Sequence, residues 1–285
     1  MCYYRGIEKE QRMSKNRRRP HRGRREKKKK AGMLSNIILI VALAVFCVSA
    51  FQLVKIVGGY AKGRDEYKKI QSIAINKEDS EPEKGFSVDF DELKGINPDT
   101  VGWIRFYPEP SIINYPIVQT TDNEKYLHKT FSENDNTLGT IFLNADNNAN
   151  FNDRNSIIYG HRMKDGSMFR KLDEYKDKSF WEANPYFYIY TPDGREIVYH
   201  IYSVATVKDT DDVYLTGFEN DEAYQSYLDM TKRIAIYDTG VEVTTADCGT
   251  INMYKRQRRA PICSDWSKRT RKSNGTDKVI YLRNV

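Results

Sequence analysis

The apolar positions of this chain fall into two regimes. Residues 37 to 54, IILIVALAVFCVSAFQLV, form an unbroken apolar run with no charge. With Met33, Leu34 and Ile56 at its flanks, it reaches the ~20 residues that a membrane-crossing helix needs. A core helix of this length would keep a polar face, and this run has none. From Phe86 onward the apolar residues come instead in short groups of Val, Ile, Tyr and Thr, split by Gly, Pro, Asn and Asp. That punctuation belongs to strands. It predicts a strand holding Trp103 and Ile104, and further strands over 113–119, 137–144, 155–160, 186–193, 195–208 and 241–245. Pro192-Asp193-Gly194 predicts a hairpin tip. Helices are expected just after Phe86 and over 219–233, where Tyr224, Tyr227 and Leu228 recur at i, i+3 and i+4. Many short strands with few helices predict a mainly β fold, a closed or nearly closed β-barrel, preceded by one transmembrane helix. Residues 61–77 suit a short charged helix rising from the membrane, and EDSEPEKG at 78–85 reads as a linker.

Charge sharpens this division. The formal net charge is +7 over 285 residues, but residues 1 to 30 alone carry +11 and the remainder −4. By itself such an arm could bind nucleic acid. Ahead of an apolar span, it serves topology and contact with anionic lipid, so the membrane is an expected partner and nucleic acid is not. Basic residues stay in the cytoplasm, which places the N-terminus inside and residues from about 60 outside. The run is longer than a signal-peptide core and no clear A-x-A cleavage site follows, so an uncleaved single-pass anchor is expected. The resulting organisation is a basic tail (1–32), an anchor (33–57), a helical lead-in and linker (58–85), a barrel domain (86–248) and a basic tail (249–285). Of four cysteines, Cys2 falls on the cytoplasmic side and Cys47 in the span, leaving Cys248 and Cys263 outside. Those two could form one disulfide, or either could be a nucleophile.

The candidate chemistry centres on NSIIYGHRMKDGSMFRKL, residues 155–172. A strand runs into Gly160 and then at once into His161, one of four histidines in the chain. A histidine so placed either bonds a nearby backbone group or carries protons in catalysis. His128 reads as structural, His200 lies within a strand and His21 in the tail.

Taken in order, INPDTVGWIRF, INYPIVQTTDNEKYLHKTF, LGTIFLNADN and NSIIYGHRMKDGSMFRKL resemble the class B sortases over roughly residues 60–245. The resemblance implies a sortase-like barrel and a membrane-anchored cysteine transpeptidase of the Gram-positive cell surface. Such an enzyme cleaves a C-terminal sorting motif in secreted proteins and joins them, through a thioacyl intermediate, to a cell-wall peptide amine. It implies no metal and no organic cofactor. It makes His161 the catalytic histidine, able to protonate the leaving nitrogen and then to deprotonate the incoming amine. A cysteine thiolate would attack, and an arginine would hold the substrate carbonyl or the oxyanion. The in-frame candidates are Cys248 and Arg256, with Arg258 and Arg259 close by.

The terminus departs from the family. A sortase ends in a strand of the form TLxTC, a loop, an arginine and a last strand such as RFVVVG. Here 241–245, VEVTT, leads into Ala246-Asp247-Cys248-Gly249, and residues 249–285 carry a net +8 without a strand pattern. Either the terminus is divergent and Cys248 is the nucleophile, or the chain is an inactive sortase-fold remnant lacking its final strand, or its reading frame has slipped. Met253-Tyr254 is encoded by ATG and TAT or TAC. Read one nucleotide later, those codons contain TGT, a cysteine. With permitted codons around it, the shifted frame for residues 245–267 can read TAEQLTCTKDKEERRFVVIGQ, which supplies the cysteine, arginine and strand that the pattern lacks.

Overall fold

The computed structural model describes residues 22–75, 86–208, 212–246, 249–256 and 276–284. The chain divides into two units, residues 1–55 and 56–285. The first contains the beginning of helix α1 (Arg22–Ala74), whose large apolar side chains from Ile37 to Val54 are exposed. This is a helix long and apolar enough to cross a membrane. The short helix expected at 61–77 is not a separate element, because α1 runs unbroken to Ala74. Residues 1–21 of the basic tail and the linker at 78–85 lie outside the described residues.

In the second unit, eight strands among the described residues close into one barrel. They are β1 (Thr100–Arg105), β2 (Asn114–Val118), β3 (Ile141–Leu143), β4 (Asn155–His161), β5 (Tyr186–Tyr190), β6 (Glu196–Lys208), β7 (Thr250–Arg256) and β8 (Thr276–Asn284). The order around the barrel is β1-β2-β3-β4-β7-β8-β6-β5. The pairs β2/β3 and β4/β7 are parallel and the rest antiparallel. Among the described residues, four α-helices decorate it: α2 (Phe90–Ile96), α3 (Lys125–His128), α4 (Lys178–Ala183) and α5 (Asp221–Arg233). Asn220 caps α5 by accepting from the Ala223 amide, and Tyr224, Tyr227 and Leu228 are buried as their spacing predicted. Gly194 takes φ +84° at the β5–β6 tip, where Thr191 and Arg195 close the hairpin.

Two expectations about the C-terminal part are corrected. VEVTT is not a strand: residues 241–244 follow no ladder, although Val241 and Val243 are buried and Glu242 and Thr244 exposed. The alternation marks a half-buried segment, but the place beside β4 is taken by β7, paired from Asn155↔Thr250 to His161↔Arg256. Nor is the region after residue 248 without strands, and the barrel does not lack its last strand. TINMYKR alternates in period two, with Ile251 and Met253 in the core. Thr276–Asn284 pairs with both β6 and β7 and closes the barrel. Its run Val279-Ile280-Tyr281-Leu282 is good strand material that the surrounding basic composition obscured.

The core reaches beyond the barrel. Tyr67, Ile70 and Ala74 of α1 are buried in the same apolar cluster as Trp103, Phe131 and Ile141. The lead-in helix is therefore part of the domain, not a spacer before it.

Candidate active site

Every residue of β4 is buried, so its backbone is fixed on both faces before it delivers His161 to the end of the strand. Gly160 is required there. A Cβ at that position would lie 2.5 Å from Cδ2 of the buried Phe169, so only glycine lets the strand pass the ring. His161 is itself 7% exposed, and its Nε2 lies 2.8 Å from the Leu127 carbonyl. If the Nε2 proton is donated to that carbonyl, the neutral tautomer is set by a main-chain group.

Leu127 sits on α3, and α3 is tied down by a polar chain. The Asn97 side-chain amide donates to the Tyr126 hydroxyl at 2.7 Å and to the Phe131 carbonyl at 2.8 Å. The Tyr126 hydroxyl donates to Asp99 at 2.8 Å, and Lys125 reaches the same carboxylate at 2.8 Å. Burial pushes the Tyr126 phenol up to about 12. Burial also opposes ionisation of Asp99, but the hydrogen bonds from Lys125 and Tyr126 outweigh it and hold the carboxyl below its usual range.

After His161, the loop turns back through Gly166 (φ +91°) to Met168 (φ +54°), whose amide donates to the Tyr115 hydroxyl at 3.2 Å. Asp165 in this loop accepts from Ser167 Oγ at 2.6 Å and pairs with Arg64 at 3.1 Å. A 3₁₀ helix, Phe169–Lys176, follows. Within it Asp173 pairs with Arg170 at 2.5 Å, and it also pairs with Arg162 at 3.1 Å.

Of the other residues expected at the site, Arg256 stands opposite His161 in the β4/β7 ladder, about 4.8 Å away strand to strand. Cys248, Cys263, Arg258 and Arg259 lie outside the described residues. Gly249, the neighbour of Cys248, is described: a Cβ on it would lie 2.5 Å from the Asp153 carbonyl. It takes φ +119°, and Thr250 donates to the Arg154 carbonyl at 2.9 Å. This is the far end of β4 from His161, about 20 Å along the strand at ~3.3 Å per residue. His128 closes α3, and His200 stacks between Trp181 and Tyr186, away from this site. Among the described residues no cluster of His, Cys, Asp and Glu could hold a metal. The sequence offered no hint of the Leu127 carbonyl or of Gly139, which lies under the imidazole, because neither contact depends on a side-chain motif.

A family model described as the sortase domain matches residues 108–256. Sortase B of Staphylococcus aureus (strain NCTC 8325 / PS 47) is 32% identical over 221 residues, covering 74% of this chain and 84% of that protein. Sortase B of Listeria monocytogenes serovar 1/2a (strain ATCC BAA-679 / EGD-e) is 35% identical over 176 residues, covering 59% and 70%. Among solved structures, sortase B from Bacillus anthracis in complex with AAEK1 superposes with a TM-score of 0.66 at 28% identity, covering 81% of this chain and 99% of that one. The Staphylococcus aureus sortase B–substrate complex gives 0.63 at 27%, covering 79% and 96%. The chain belongs to the sortase family, and within it to class B.

Proposed function

We propose that this protein is a sorting transpeptidase of the cell surface, with α1 as a single-pass anchor, its N-terminus cytoplasmic and the barrel outside. It acts on secreted proteins carrying a C-terminal sorting motif and joins them to a cell-wall peptide amine. The observation that carries this reading is His161, held at the end of a buried strand with β7 running parallel beside it. In this reading a cysteine thiolate attacks the scissile carbonyl, His161 protonates the leaving nitrogen, and the thioacyl enzyme forms. The incoming amine then gives its proton to His161 and displaces the thiolate. In the frame as it stands, Arg256 is the arginine proposed to act on the substrate carbonyl, on the strength of its register with His161; in the shifted frame, the arginine that follows the shifted cysteine takes that role.

The nucleophile is proposed to lie on β7 and to have been lost from this sequence by a slipped reading frame after about residue 245. The shifted cysteine codon straddles Met253 and Tyr254, whose ladder partners are Ile158 and Tyr159. Those are two to three residues from His161, about 7–10 Å along the strand, against about 20 Å for the seat of Gly249. Resequencing the gene across codons 240–260 checks this directly, and a gained or lost base is the expected result. The restored protein should then cleave a sorting-motif peptide, and His161→Ala should slow it about 10²–10⁴-fold. An unaltered frame, with peptide cleavage that depends on Cys248, would defeat the frame argument and restore Cys248 as nucleophile. Failure of the restored protein on every sorting peptide would count against the transpeptidase itself.

A further inference from the structure

We propose that the turn of α1 from Arg64 to Tyr67 positions His161, acting chiefly through the hydrogen bond of the Tyr67 hydroxyl to the Gly139 carbonyl. The inference deepens the sortase reading of the site and rests on it. Tyr67 is buried, and its hydroxyl donates to the Gly139 carbonyl at 2.7 Å and lies 3.1 Å from Thr140 Oγ1. Gly139 takes φ +61°, and a Cβ on it would come within 2.9 Å of His161 Cδ2 and 2.6 Å of the Tyr126 carbonyl. The backbone of Gly139 is thus the floor on which the imidazole rests.

That floor is clamped from both sides. Thr140 donates its amide to the Tyr126 carbonyl at 2.9 Å and its hydroxyl to the Lys129 carbonyl at 2.8 Å, which ties the turn to α3. Tyr67 ties it to α1. The same helical turn also reaches the loop that follows His161. The Tyr67 ring meets Tyr115 edge to face at 5.3 Å, and the Tyr115 hydroxyl accepts from the Met168 amide. Arg64, three residues earlier, pairs with Asp165 in the loop that follows His161. One turn of the helix that leaves the apolar span therefore touches both the support beneath the ring and the loop beside it. Removal of the Tyr67 hydroxyl would leave a buried carbonyl without its donor and free the turn to shift under the imidazole.

The test uses the full chain in detergent micelles with ¹⁵N-labelled histidine. Long-range ¹H–¹⁵N spectra report the tautomer and titration of each imidazole, and the His161 signals are assigned by their loss in His161→Gln. The expected result is that Tyr67→Phe mixes the His161 tautomers or moves its titration by about half a pH unit or more, while His128 and His200 titrate as before and thermal unfolding stays cooperative. Unchanged His161 signals in a folded Tyr67→Phe protein would overturn the proposal. Should that variant not fold, Arg64→Gln, at an exposed position, serves in its place: its His161 signals must move, and unmoved signals would equally overturn the proposal. The spectra require neither a nucleophile nor turnover. A moved His161 in a protein inactive on all sorting peptides would leave the positioning intact and remove the transpeptidase. An unmoved one in an active enzyme would do the reverse.

Discussion

His161 illustrates what a single residue takes from its neighbours. A strand that ends in Gly-His and then a loop was enough to single it out, because glycine followed by histidine at the end of an apolar run is visible in the letters. Its hydrogen bond to the Leu127 carbonyl was not visible, since a main-chain acceptor is the same whatever residue carries it. Nor was the reason for Gly160, which lies in Phe169, nine positions along the chain and folded back over the strand. Gly160→Ala should force that ring or the strand to shift, at a cost of about 1–3 kcal/mol. Urea unfolding should show a lower midpoint with an unchanged slope.

At the scale of elements, periodicity served well where one signal dominated. The α5 stripe and the β5–β6 tip were predicted as they stand. It failed at VEVTT and TINMYKR, two segments that both alternate. Which of them joins the sheet depends on the neighbour available beside β4, a tertiary matter that no local pattern records. The short helix α3 was also unreadable, because four residues make barely one turn. It persists through the chain of bonds from Asn97, Tyr126 and Lys125 to Asp99. Asp99 has a folded pKa below its ordinary value, so its contribution is fully present above about pH 4 and is lost as the pH falls through the lower, folded value. Asp99→Asn should therefore lower stability by about 1 kcal/mol at neutral pH, or ~2–4 °C in Tm for a domain of this size. It should also flatten the acid limb of the stability curve, which a series of melts from pH 3 to pH 7 would reveal.

For the whole molecule, the mainly β barrel and the single apolar helix were legible in the sequence. The boundary between lead-in and domain was not. Charged residues dominate 61–77, yet Tyr67, Ile70 and Ala74 are interior. A chain cut to begin at residue 86 should lose about 3–6 kcal/mol, the worth of burying two large apolar side chains, measurable by comparing its denaturation with that of a chain beginning at residue 56. The barrel order carries one more consequence. β7 and β8, the last strands to be synthesised, fill the space between β4 and β6, which are made long before them. Until residues 250–284 have emerged, the sheet has an open seam along the strand that bears His161. A growing chain therefore holds β4 with one edge unpaired until its last strands arrive, so the ladder from Asn155↔Thr250 to His161↔Arg256 closes only when synthesis of the barrel ends.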